Sequence, residues 1–198
     1  MIDSRMATPN PLALTPEIDD FKRQFEEIAS DANALVAPLT DRQFGWKRSP
    51  LSWSVGECLD HLNATARVYL PSLDKGIADA IGRGLCGPGP HRYNWIGRLH
   101  VYLVQTPRVR AKAPRAIQPP AGRTRREIMA AFRAYQVQYI DRLRQANGLD
   151  LARARAASPV ATWMPIPLGS AFALMVAHEH RHLWQARRVM VAPGFPEG

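Results

Sequence analysis

The sequence predicts an all-α protein, a four-helix bundle with a long crossover between helices 2 and 3. Three observations predict it. Four segments repeat apolar residues at three- and four-residue steps, three of them open on N-cap chemistry, and no strong alternating strand pattern appears anywhere. At 198 residues the chain can bury one substantial core, whereas two independent domains would be cramped. One helical domain is expected over residues 15–192, after a disordered lead-in over residues 1–14.

The first helix opens at Thr15-Pro16, an N-cap type followed by a proline at the first helical position, where no N–H is needed. Ile18, Phe21, Phe25, Ile28, Ala32, Leu35 and Leu39 mark its apolar face, and Pro38 should end or bend it. The second opens at Ser54, with Glu57 at capping-box spacing, and turns Val55, Leu59, Leu62, Ala66, Tyr69, Leu73 and Ile77 inward. Pro71 should kink it, and the glycines and prolines from Gly82 to Pro90 end it. The third begins at Thr124, with Glu127 three residues on. Ile128, Phe132, Tyr135, Tyr139 and Leu143 face the core, up to a stop at Asn147-Gly148. The fourth runs from about Pro167 to Met190, with Leu168, Phe172, Met175, His178, His182, Gln185 and Val189 on one face.

Residues from about 83 to 123 are too many for a turn. They include "YNWIGRLHVYLV", expected to form a short helix, and then a proline-rich basic stretch. A crossover of that length lets helices 2 and 3 run parallel, which a two-residue turn cannot.

No run of about 18 apolar residues exists, so no membrane span is expected. The N-terminus lacks the apolar core of a signal peptide. Cys58 and Cys86 fit no zinc or redox spacing and read as reduced thiols in a cytoplasmic protein. The net charge of +9 raises the question of nucleic acid. Its densest source runs from Arg108 to Arg126, through Arg110, Lys112, Arg115, Arg123 and Arg125. That stretch has no aromatic residue on which a base could stack, so a solvated loop is the stronger reading and nucleic-acid binding the weaker.

The chemistry is concentrated in "ALMVAHEHRHLWQARRV", residues 173–189. His178 and His182 lie one turn apart on the face that carries Leu168, Phe172 and Met175, so both imidazoles point at the core. Buried imidazoles need partners. A shared metal is one solution; a backbone carbonyl or carboxylate for each is the plainer one. His61, in the second helix, falls on the flank of that helix's apolar stripe, where it either reaches sideways to a neighbouring helix or stays half-exposed. His180 lies about 200° round from His178 and reads as surface. His91 and His100 lie in the crossover.

The letters also satisfy the zinc-protease pattern H-E-x-x-H, with Glu179 in the general-base position. Only sixteen residues follow His182, none of them histidine, and the sequence offers no strand edge to hold an extended peptide. The protease reading is therefore set aside.

Three stretches together resemble the DinB-like (DinB/YfiT) family of metal-binding four-helix bundles: "LSWSVGECLDHLNATARVYL", "AHEHRHLWQARRV" and the basic, proline-rich "RVRAKAPRAIQPP". The resemblance spans the chain from about Ile18 to Val189. It implies that His61, His178 and His182 bind one divalent metal, and that the chain forms a homodimer; imidazole ligands suit Zn²⁺ or Ni²⁺. Some members of the family join a low-molecular-weight thiol (bacillithiol, mycothiol or glutathione) to an electrophile, and others are thiol-dependent isomerases.

Three neutral imidazoles would leave such a metal dipositive with an open coordination position, where water or a thiol becomes more acidic. The resemblance thus implies an enzyme acting on a small molecule, a thiol S-transferase or a hydrolase. The alternative is a non-catalytic, metal-stabilised protein that engages an anionic partner through its basic crossover. Glu57 and Gln185 lie one turn or less from the histidines and either orient ligands or serve as cap and helix-face polar groups. Cys58 reads as core; Trp46, Trp53 and Trp163 either line a pocket or pack.

Overall fold

Two capping boxes written into the sequence set where the long middle helices begin. At Ser54 the hydroxyl accepts from the Glu57 N–H at 3.0 Å, while the Glu57 carboxylate accepts from the Ser54 N–H at 2.9 Å. Thr124 and Glu127 repeat the exchange at 3.3 and 2.8 Å. The computed structural model describes residues 13–87, 89–90, 114–158 and 161–198. Its helices are α1 (Pro16–Val36), a short α2 (Asp41–Gly45), α3 (Val55–Gly82), α4 (Arg125–Gln145) and α5 (Leu168–Met190). A 3₁₀ turn spans Arg115–Ile117, and an antiparallel hairpin pairs β1 (Arg155–Ser158) with β2 (Ala161–Pro167). The all-α reading holds, with the hairpin as a small addition.

The predicted apolar faces are the core. Every residue of the stripes expected for the first two long helices is buried. Each fully buried Leu, Ile or Phe contributes on the order of 1.5–3 kcal/mol, so these faces dominate the stability. In α4 the inward set is Ile128, Phe132, Tyr139 and Leu143, with Tyr135 only half-buried. Phe25 of α1 stacks on Tyr139 of α4 at 4.8 Å.

α1 and α3 each pack against both α4 and α5. Pairings along the helices give their directions. Asn63 reaches the Ile128 carbonyl and Asp74 forms a two-toothed pair with Arg142, so α3 and α4 run parallel, as the long crossover requires. Phe21 meets Phe172 and Asp31 meets Arg187, so α1 and α5 also run parallel. Arg125 near the start of α4 bonds carbonyls at the end of α1, so those two are antiparallel.

Some expectations need correction. No strand was expected, yet β1 and β2 form. The inward face of β1 is Ala156 and Ser158, too small and too weakly apolar to stand out as an alternating pattern. Pro71 lies inside α3, which continues past it as one helix. Asn147 lies past the end of α4 as a stop should, and it also clamps the start of the chain: its side chain accepts from the Thr15 N–H and donates to the Ala13 carbonyl. α2 went unforeseen although Thr40 and Gln43 carry a capping box of their own. The short helix expected within residues 93–104 lies outside the described residues, as do His91, His100 and the lead-in up to residue 12. Among the described residues, no helix is long and apolar enough to cross a membrane.

The hairpin sits directly on α3 at Gly76, where an added Cβ would lie 2.5 Å from the Arg155 carbonyl oxygen. Glycine inside a helix is normally about 1 kcal/mol worse than alanine, so propensity favours Gly76→Ala. The clash is with backbone, which has no rotamer to escape into, and overpacking of this kind costs about 1–3 kcal/mol. Gly76→Ala should therefore lower the midpoint of urea unfolding. A higher midpoint would show that the hairpin does not press on α3.

Candidate metal centre

His61 stands in the second turn of α3, placed there by the Ser54 cap; His178 and His182 stand one turn apart in α5. Because α3 and α5 are neighbours, the three rings meet. Their centroids are 5.0 Å (His61–His178), 4.4 Å (His61–His182) and 4.5 Å (His178–His182) apart. One nitrogen from each ring lies within 4.8 Å of the others, so the three could hold a metal ion. His61 and His182 are buried and His178 is half-buried. The flank position of His61 thus reaches sideways into the bundle, and the half-exposed alternative is excluded.

The hydrogen bonds constrain the tautomers. His61 Nδ1 lies 2.5 Å from the Ile117 carbonyl. A carbonyl only accepts, so Nδ1 carries the proton and Nε2 is left with a lone pair. That lone pair lies 3.2 Å from His178 Nε2. Either His178 donates its proton across this gap, or both nitrogens present lone pairs to a cation. Two nitrogens bonded to a tetrahedral zinc at about 2.0–2.1 Å would lie roughly 3.3 Å apart, so the spacing suits a shared ion. His182 Nδ1 is buried and, among the described residues, meets no hydrogen-bond partner.

The electrostatics keep the rings neutral. Burial lowers the pKa of His61 against the opposing Ile117 hydrogen bond. Burial, then His61 and Arg181, push His178 down to about 3. Burial and the two neighbouring rings lower His182 further, partly offset by Gln185. At neutral pH all three are uncharged, the state a metal ligand needs. Trp53 closes one side, its ring 4.7 Å from His61 and 5.6 Å from His182.

The sequence model of the DinB superfamily matches residues 24–186. The chain belongs to the DinB superfamily. No curated protein and no solved structure shows a significant match to it. The family match takes in all three histidines, in keeping with the metal-binding bundles that the sequence resembles.

Other singled-out residues take plainer roles. Glu57 is the cap of α3 and pairs with Lys47 at 2.9 Å. Both carboxylate oxygens of Glu179 accept from the Gln136 amide at 3.0 Å, and burial pushes this carboxyl up to about 8. Trp46 packs edge-on against Phe195, and His180 is exposed. The Trp163 side chain lies outside the described residues. Within the basic stretch, Arg123 pairs with the buried Asp60 at 2.6 Å and Arg125 bonds the Val36 and Leu39 carbonyls. Sequence reasoning missed the Ile117 carbonyl; a backbone group leaves no mark in the side-chain pattern.

Burial and the Glu57 charge push the Cys58 thiol up, whereas Cys86 is exposed. The thiolate is the reactive form. Iodoacetamide should therefore label Cys86 alone in the native protein and both cysteines in guanidinium. Native labelling of Cys58 at a comparable rate would contradict its burial.

Proposed function

We propose that this protein is a metal-dependent enzyme acting on a small molecule, either a thiol S-transferase or a hydrolase, with His61, His178 and His182 as ligands to one divalent ion. The observation that carries this reading is the meeting of three neutral imidazoles from two helices. Structural zinc sites ordinarily use four protein ligands, and the three that meet among the described residues leave a position open. Zn²⁺ and Ni²⁺ both suit imidazole. When bound, the ion would supply Lewis acidity to a water or thiol at that position. The chain's own groups do the rest: the Ile117 carbonyl keeps the His61 proton on Nδ1, and the Trp53 ring limits water on its side of the cluster. The homodimer implied by the resemblance is part of this reading, and the half-exposed Trp184 of α5 offers it an apolar contact.

The competing reading is a metal-stabilised binding protein that engages an anionic partner. Its support is the basic stretch, of which Arg115 and Arg126 are exposed while Arg123 and Arg125 are engaged within the fold.

Elemental analysis of untagged protein should find about one divalent ion per chain, falling to background in a His61→Ala, His178→Ala, His182→Ala variant. Equal metal content in the two would refute the site. Metal-loaded protein is then assayed with glutathione, bacillithiol or mycothiol plus an electrophile, and with ester and amide panels. Turnover should vanish in His182→Ala while the helical circular dichroism is retained. Salt-sensitive binding of an anionic polymer, insensitive to metal and lost in Arg115→Ala, Arg126→Ala, would favour the second reading. Light scattering should give twice the 22.1 kDa chain mass.

A further inference from the structure

The crossover returns to the bundle at the metal ligand itself. Its 3₁₀ turn, Arg115–Ile117, packs on α3, with the Ile117 side chain buried and its carbonyl oxygen 2.5 Å from His61 Nδ1. Six residues on, Arg123 grips Asp60, the residue beside His61, at 2.6 Å and also reaches the Glu127 carbonyl. The segment 115–123 is thus pinned at both ends to two consecutive residues of α3. Of its two anchors, only the Ile117 carbonyl acts on a histidine ring.

We propose that the Arg115–Ile117 turn is a positioning element for the ion and that metal occupancy latches it in place. The inference rests on the metal-site reading above. An ion at His61 Nε2 draws electron density from the ring and makes the Nδ1–H a stronger donor, so the bond to Ile117 is worth more with the ion bound than without it. Linkage then runs both ways. If the docked turn raises metal affinity by some factor, bound metal favours docking by the same factor. Ile117 does not touch the ion; it fixes the tautomer and the ring direction of a residue that would. The crossover, including the basic residues it carries, is thereby coupled to the state of the histidine cluster.

The turn's own amides report docking: the Ile117 N–H bonds the Pro114 carbonyl at 3.0 Å and the Gln118 N–H bonds the Arg115 carbonyl at 3.4 Å. Hydrogen exchange of a peptide covering residues 114–122 should slow by about tenfold on adding Zn²⁺ to the full-length apo protein, the size of change that a strengthened ligand contact typically brings. In His61→Asn, which keeps a side-chain N–H near the Nδ1 position and loses Nε2, Zn²⁺ should leave that exchange unchanged. In the other direction, Ile117→Gly, which loosens the turn and keeps all three histidines, should weaken Zn²⁺ binding by about 10- to 100-fold in competition with a chromophoric chelator. Ile117→Val, with the burial nearly intact, should stay within about threefold of wild type, and both variants should keep the helical circular dichroism. Zinc binding by Ile117→Gly as tight as wild type would overturn the coupling while leaving the metal site standing, whereas equal zinc protection in His61→Asn would overturn the coupling together with the place of His61 among the ligands. A wild-type protein that takes up no zinc or nickel would remove both.

Discussion

Three imidazoles packed together, away from most of the solvent, impose the constraint on which the rest of this structure turns. Each neutral ring carries one N–H and one lone pair, and burial removes the water that would satisfy them. Leaving such a group unpaired costs about 1–3 kcal/mol. The protein satisfies some of them itself: the Ile117 carbonyl takes the His61 Nδ1 proton, and the His61 and His178 Nε2 atoms face each other at 3.2 Å. His182 Nδ1 remains without a partner among the described residues. A cluster of this kind is poorly completed by its own atoms and well completed by a cation. The depressed pKa values of the rings point the same way, because protonation, the other route to satisfying the lone pairs, is opposed by burial.

The topology serves this cluster. His61 can meet two residues of α5 only if α3 and α5 are neighbours, and α3 packs against α5 as well as against α4, with which it runs parallel. Parallel neighbours need a long connection, and the end of that connection is used twice, once for the Ile117 carbonyl and once for the Arg123–Asp60 pair. The hairpin between α4 and α5 lies against the far half of α3, over Gly76, and leaves the first turns of α3 to the histidines. The basic charge of the crossover also finds its place here. Arg125 holds the Val36 carbonyl at the end of α1 and the Leu39 carbonyl just beyond it, and Arg123 offsets a carboxylate that would otherwise be buried without a counter-ion.

Much of this was legible in the residues, and the parts that were not share a physical cause. Helix stripes and capping boxes depend on side chains close in sequence, so Ser54 with Glu57 and Thr124 with Glu127 could be read directly, as could the inward faces of the long helices. His178 and His182 were legible as a pair for the same reason. His61 needed the family resemblance, since its flank position alone allowed two orientations and only the packing of α3 on α5 chooses one. The hairpin escaped because β1 buries only alanine and serine, which carry almost no hydrophobic contrast. The Ile117 carbonyl escaped because the backbone is the same at every position. Net charge was the poorest guide: as simple patterning, Arg123 and Arg125 look like a solvated cationic run, yet their partners are a buried carboxylate and a helix end far away in sequence.

The H-E-x-x-H match shows why spacing within a helix does not by itself assign a role. Positions i and i+4 share a face in any helix, so His178 and His182 converge whatever surrounds them. Position i+1 lies about 100° away, and what it meets is decided by the neighbouring helix. In a hydrolase of the protease type that direction would have to open on the water to be activated. Here it leads to α4, where Gln136 donates to both carboxylate oxygens of Glu179 and burial pushes the acid up to about 8. A buried carboxyl with an amide for company ties α5 to α4. The same five letters thus divide into a pair of residues that face the cluster and one that braces the helix carrying them.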